Sequence, residues 1–224
     1  VPRLAIEHSL PIALVRTWAG ALPEDEVAAL ARLCNRPGPV TLRANVAVGG
    51  RDALRSTLAA AGVDARAGAL SPWAVHLGGD RAAWGGGVWA LPGWRAGAFE
   101  VQDEGSQCIA TACAATAGEI ALDLCAGNGG KTLALAAAVG AAGRVYAHDV
   151  DAARLRSLRA RAERAHVAAR ITVLPTPPAV ATAPPVDIAL VDAPCSSTGV
   201  IRRHPGLRWA VDRGSPSAKD LPML

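Results

Sequence analysis

Residues 4–36 read as helical, with apolar positions from Leu4 to Leu22 at mixed spacing and Pro11 as a break. Pro23-Glu24-Asp25-Glu26 places a proline and three acids in the first turn of a further helix. There a fixed φ and the positive end of the helix dipole suit them. That helix has to stop before Pro37-Gly38-Pro39. Val40–Val48 (VTLRANVAV) alternates and is rich in β-branched residues, which marks a strand. Arg51–Gly62 is an amphipathic helix closed by glycine. Short extended pieces are predicted at Val63–Ala67, Ala74–Leu77 and Val88–Leu91, the last following the turn Gly85-Gly86-Gly87. Strand, helix, strand, strand in a span of this size suits a small sheet with helices on one face.

From Phe99 onward apolar strands alternate with helices. The pattern predicts helices over Ser106–Ala117, Lys131–Val139 and Asp151–Ala165. It predicts strands over Ile120–Leu124, Arg144–His148, Ile171–Leu174 and Asp187–Val191, with a proline-rich loop from Pro175 to Pro185. Such alternation is the signature of a doubly wound parallel sheet, whose ligands bind beyond the carboxyl ends of the strands. The expected fold class is therefore α/β. A Rossmann-type domain over residues 96–224 is preceded by a helical lead and a small α+β subdomain over residues 1–95.

Composition narrows the class. Half of the 224 residues are hydrophobic, enough for a sizeable core, yet every long apolar stretch is broken by Arg, Asp or Gly. None reaches the roughly 18 residues of a membrane span. The first residues lack the pattern of a secretory signal, so a cytoplasmic location and no membrane partner are expected. Five cysteines, none in CxxC spacing, argue against a zinc or redox motif, and no metal is expected. The net charge of +4 permits nucleic-acid binding without establishing it.

Leu122–Thr132 (LDLCAGNGGKT) follows a strand and opens a helix, and it admits three ligand readings. A Walker loop needs glycine six residues before the lysine, where this chain has Cys125; Ile188–Asp192 nonetheless imitates a Walker B strand. A dinucleotide fingerprint starts at Gly127 and Gly129 but ends on Thr132. S-adenosylmethionine needs close backbone approach, which Gly127, Gly129 and Gly130 supply. It also needs an acid for the ribose, which Asp149 supplies at the end of the next strand. Asp151 is the better helix-cap candidate of the two nearby acids. The other chemical focus is Val191–Pro205 (VDAPCSSTGVIRRHP). Here an acid, Asp192, and a thiol, Cys195, leave a buried strand together beside the basic pair Arg202 and Arg203.

Taken together, Phe99–Gln107, Leu122–Thr132, Val145–Leu155 and Asp192–Pro205 resemble the bacterial RNA (cytosine-5)-methyltransferases of the Sun/Fmu type, which methylate 16S ribosomal RNA. The upstream pieces LAIEHSLPIALVRTW and PVTLRANVAVGGRDALRSTLAAAG also resemble the region before the catalytic domain in those enzymes. The resemblance implies methyl transfer from S-adenosylmethionine to C5 of a cytosine in 16S ribosomal RNA, free or partly assembled. It places the donor against Cys125, Ala126, Gly127, Asn128, Gly129, Gly130, Lys131, Asp149 and Asp192. It makes Asp192 and Cys195 catalytic and leaves Arg202 and Arg203 as candidates for RNA phosphates or for lowering a thiol pKa.

The chemistry explains the thiols. A thiolate adding at C6 of cytosine makes C5 nucleophilic, a base removes the C5 proton, and the thiolate leaves. An acid at N3, assigned to Asp192, assists the addition. In the family the attacking cysteine sits in a later Thr-Cys segment, beyond the position of Leu224, and Cys195 corresponds to the cysteine that assists product release. DNA cytosine methyltransferases attack with a Pro-Cys thiol, which keeps Cys195 as nucleophile an alternative. The chain also has Gly127-Asn128 where the family usually has Ala-Pro, and Pro175-Thr176-Pro177-Pro178 where it usually has Gly-Asp. The resemblance thus implies a methyltransferase domain incomplete at its C-terminus and an N-terminal RNA-binding domain reduced to its tail. A non-catalytic RNA-binding remnant and a P-loop nucleotide-binding protein remain as alternatives.

Overall fold

The computed structural model describes residues 1–79, 84–174, 185–195 and 198–208. The predicted proline-rich loop lies, but for Pro185, outside the described residues. The chain divides into two compact units. One holds Val1–Gly38 and the described residues from Pro194 onward; the other is Pro39–Ala193.

The first unit is helical. Helices α1 (Pro2–Glu7), α2 (Ile12–Ala19) and α3 (Glu24–Cys34) are separated at Pro11 and Pro23, as the proline positions predict. Their core is Leu4, Leu10, Leu14, Val15, Val27 and Ala31, and it is completed by Ile201 and Leu207 from far along the chain. Two arginines of that returning segment satisfy backbone carbonyls after α1 and at and beyond the end of α3. Arg208 donates to Cys34 O at 2.8 Å and Ser9 O at 3.4 Å. Arg202 donates to Pro37 O at 2.8 Å and Arg36 O at 3.1 Å. Helix-end carbonyls lack intrahelical partners, and cationic side chains suit that end of the dipole.

The second unit contains two four-stranded sheets. The first is antiparallel, in the order β2 (Ala65–Ala67), β3 (Ala74–Leu77), β1 (Val40–Ala44), β4 (Phe99–Val101). Alternation along β1 sends Leu42 and Ala44 into a core with Leu54, Leu58, Val75 and Phe99. Thr41 and Arg43, also buried, have polar partners. Helix α4 (Gly50–Ala60) contributes Leu54 and Leu58.

Three predicted elements differ. The strand expected to run to Val48 stops at Ala44 because buried Asn45 redirects the chain. Its Oδ1 accepts from Ala47 N–H at 3.0 Å, starting a 3₁₀ turn over Val46–Val48. Its Nδ2 donates at 2.9 Å to both Gly97 O and Ala165 O. Val88–Ala90 is a 3₁₀ turn after three glycines at positive φ, not an extended piece. Helix α5 runs Glu104–Ala112 instead of Ser106–Ala117: it starts after Asp103 and ends before Ala114, whose φ is +49°. Sequence patterning passed over β4, a three-residue strand whose register is Leu42 against Val101 and Ala44 against Phe99.

The second sheet is parallel, in the order β7 (Ile171–Val173), β6 (Arg144–Ala147), β5 (Ile120–Asp123), β8 (Ile188–Leu190). Helix α6 (Gly130–Val139) joins β5 to β6, and α7 (Ala152–Arg164) joins β6 to β7. Ala121, Leu133, Leu135, Val139, Val145, Leu155 and Leu158 form its core. The Rossmann-type expectation holds, with the strand order reversing between β5 and β8.

Buried charges bind the two sheets to each other. Glu100 of β4 is 3% exposed and takes Arg161 Nη2 at 2.8 Å, Arg161 Nε at 3.2 Å and Arg164 Nη2, all from α7. Arg164 also lies over the Trp94 ring, 3.4 Å from its centroid. Burial lowers the Arg43 pKa to about 10, against the opposing pull of Glu100, so Arg43 stays charged at neutral pH. Asp123, at the end of β5, is 1% exposed. Its Oδ2 accepts from the Thr132 hydroxyl at 2.7 Å, and Oδ1 has no hydrogen-bond partner among the described residues. Burial pushes its carboxyl above the ordinary aspartate range, against the Thr132 bond that favours the ionised form.

Two outcomes follow. Glu100→Ala leaves two arginines without their carboxylate and is expected to cost roughly 3–5 kcal/mol in urea unfolding. For Asp123 the folded state binds its proton more tightly than the unfolded state does. Its contribution to stability is therefore lost as pH rises from 3.8 through its raised value. Asp123→Asn removes that titration, so the variant gains on wild type towards neutrality; parallel urea midpoints across that range check the sign.

Candidate functional site

β5 ends at Asp123 and α6 begins at Gly130, so Leu124–Gly129 forms the loop at the point where the strand order reverses. Backbone bonds fasten it to both neighbouring strands. Leu124 N–H donates to Leu190 O at 3.0 Å and Ala126 N–H to His148 O at 2.9 Å; within the loop Gly129 N–H donates to Ala126 O at 2.8 Å. Gly129, at φ +85°, has no room for a side chain: a Cβ would fall 2.6 Å from Leu158 Cγ and 2.9 Å from Leu133 Cδ1. Gly127, at φ +52°, faces open space, with nothing within 4 Å of a Cβ.

Asp149 closes the loop. Its Oδ2 accepts from Gly127 N–H at 2.8 Å and its Oδ1 from Asp151 N–H at 2.8 Å. Asp151 in turn caps α7, accepting from the Ala153 and Arg154 amides. Each Asp149 oxygen spends one lone pair on these bonds, so acceptor capacity remains for a pair of hydroxyls. Lys131, in the first turn of α6, pairs with Asp192, which follows β8. The lysine side chain is 14% exposed and the aspartate 45%. Cys125 lies half-buried among these acids. Burial pushes its thiol up, and Asp149, Asp123 and Asp192 push it further, so it stays protonated and is a poor nucleophile.

The structure thus gathers Cys125, Ala126, Gly127, Asn128, Gly129, Gly130, Lys131, Asp149 and Asp192 at one end of the parallel sheet. Cys195, Arg202 and Arg203 belong to the helical unit, where Cys195 is exposed and Arg202 is bound to backbone carbonyls. Sequence reading missed Asp123 and Thr132 beneath the loop and Arg43, Gln102 and Arg161 against it. Arg43 Nη1 donates to Gln102 Oε1 at 2.6 Å and to Gly130 O. Arg161 Nη1 donates to Asn128 O at 2.6 Å. An acid inside the apolar run Ile120–Leu124 was the available signal for Asp123; the arginines gave none, being distant in sequence. Among the described residues no cluster of His, Cys, Asp or Glu is placed to hold a metal, and no helix is long and apolar enough to cross a membrane.

Residues 110–216 match the family described as 16S rRNA methyltransferase RsmB/F, and residues 10–82 match the ferredoxin-like domain of the same RsmF/B-like group. Ribosomal RNA small subunit methyltransferase B of Sodalis glossinidius is 35% identical over 92% of this chain and 47% of its own length. The protein of the same name from Xylella fastidiosa (strain Temecula1) is 37% identical over 76% of this chain and 38% of its own. The chain therefore spans less than half the length of these curated relatives. The crystal structure of PH0851 superposes with a TM-score of 0.82 at 26% identity, covering 93% of this chain and 46% of that one. On these matches, over both the antiparallel and the parallel sheet, the chain belongs to the RsmB/F family of 16S rRNA methyltransferases.

Proposed function

We propose that this chain carries the donor-binding and base-handling parts of an S-adenosylmethionine-dependent RNA (cytosine-5)-methyltransferase acting on 16S ribosomal RNA. The charge around the glycine loop carries the reading. Three carboxylates act on the Cys125 thiol, and the lysine that a phosphate site would need is paired with one of them. A polyphosphate is repelled by that surround, whereas a sulfonium cation is attracted. The residues fit such a donor: Asp149 has acceptor capacity for ribose hydroxyls, and the open flank of Gly127 admits close approach.

When bound, the donor supplies an electrophilic methyl group. Asp192, half exposed beside the loop, faces the target base; as a thiolate adds to C6, the Lys131 ammonium gives up a proton that passes through the Asp192 carboxylate to N3, leaving Asp192 ionised and Lys131 neutral until the proton returns on elimination. Cys195 assists release of the product. Residues 1–95 hold RNA, with Arg203 and the exposed part of Arg202 on phosphates reached from the returning segment, and residues 96–224 hold donor and base. The RNA is free or partly assembled 16S RNA, in the cytoplasm. The loop thiol, Cys125, is pushed up by burial and the acids around it and is not poised to attack, and that observation favours a second reading in which these residues bind donor and RNA without turnover.

Calorimetry with S-adenosylmethionine and with ATP tests the donor assignment: donor binding without ATP binding supports it, and the reverse overturns it. Tritiated methyl transfer to unmodified 16S RNA separates the two readings; label at cytosine C5 establishes turnover, and RNA binding without label establishes the second. Asp149→Ala removes both the loop closure and the ribose acceptor. Its expected effect is donor affinity weaker by about tenfold or more, the equivalent of ~1.4 kcal/mol; unchanged affinity would show that another acid holds the ribose.

A further inference from the structure

We infer that Arg161 of α7 is a positioning residue for the donor loop, setting donor affinity through the loop backbone without itself touching the donor. The inference rests on the proposed donor reading of that loop. Gly129, at φ +85°, has no room for a side chain, and the carbonyls of the residues on either side of it are each gripped by an arginine. Arg161 Nη1 takes the carbonyl of Asn128 at 2.6 Å, and Arg43 Nη1 takes the carbonyl of Gly130. In a trans peptide the carbonyl and the following N–H point in opposite directions. Fixing Asn128 O therefore fixes the Gly129 N–H, which donates to Ala126 O at 2.8 Å and closes the turn that carries Gly127. On the other side of the turn, Asp149 holds Gly127 N–H at 2.8 Å.

Arg161 is itself immobilised. Its Nε and Nη2 form a fork on Glu100 Oε2, at 3.2 and 2.8 Å, so only Nη1 is left to reach the loop and its direction is set. The fork matters, because a lysine offers a point charge without a fixed second donor. Nearly three turns before Arg161, at the start of α7, the chain already meets the loop through Asp151 and Asp149, and Leu158 packs on Gly129. Arg161 thus adds the polar clasp to an apolar contact from the same helix.

Arg164 provides the control. It shares Glu100 with Arg161, but its other bonds go to Trp94 O at 3.2 Å and Phe99 O at 3.3 Å, away from the loop. The experiment measures the donor dissociation constant by calorimetry, and the thermal midpoint, for wild type, Arg161→Ala, Arg161→Lys and Arg164→Ala. Expected is a loss of donor affinity of about tenfold or more in both Arg161 variants, with Arg164→Ala binding the donor as wild type does despite a comparable fall in midpoint. Wild-type affinity in Arg161→Lys, or an equal loss of affinity in Arg164→Ala, overturns the inference, the first because the fork is not needed and the second because the effect is general destabilisation. Absence of donor binding by wild type would overturn the donor reading itself and is distinguishable from either.

Discussion

A single buried carboxylate organises the larger unit. Glu100 sits on the short strand β4 with almost no access to water, and an isolated charge there would be prohibitive. Two arginines of α7 neutralise it, and this requirement places the helix against the antiparallel sheet. The same helix is also the crossover of the parallel sheet, so one electrostatic demand ties the two sheets into one body. Asn45 adds a neutral tie, joining the end of β1 to the end of α7 through Ala165 O.

The charge balance of the chain says little about its site. The net charge is +4, yet the glycine loop is bordered by carboxylates. Many cations are spent on structure: Arg43, Arg161 and Arg164 on the sheet junction, Arg202 and Arg208 on helix-end carbonyls. An arginine fork can satisfy several carbonyls at once, which suits it to such joints better than lysine. What remains for a polyanion is the exposed remainder, and for a cationic ligand the acidic end of the sheet.

Local patterns carried much of the fold. The parallel strands, their helices and the loop between β5 and α6 were legible because each has its own period and punctuation in the sequence. Asp151 was legible as the cap of α7 because it stands immediately before the helix start, where its side chain accepts from the Ala153 and Arg154 amides. The misses have two causes. β4 is too short to have a period, and β1 ends early because Asn45 finds carbonyls 52 and 120 residues away. Arg43 looks like an ordinary polar position of an alternating strand, and only tertiary placement brings it to Gly130. At Asn45 and Arg43 a long-range polar contact overrode a local preference.

The return of Ile201 and Leu207 to the core of the first three helices has a consequence for biosynthesis. Helices α1 to α3 are made well before the residues that complete their core: 165 positions separate Pro37 from Arg202 of the returning segment. Over that interval residues 39–193, one of the two compact units, are free to fold. The three helices are therefore sealed only after the returning segment has been made, later than the residues that lie between them can fold.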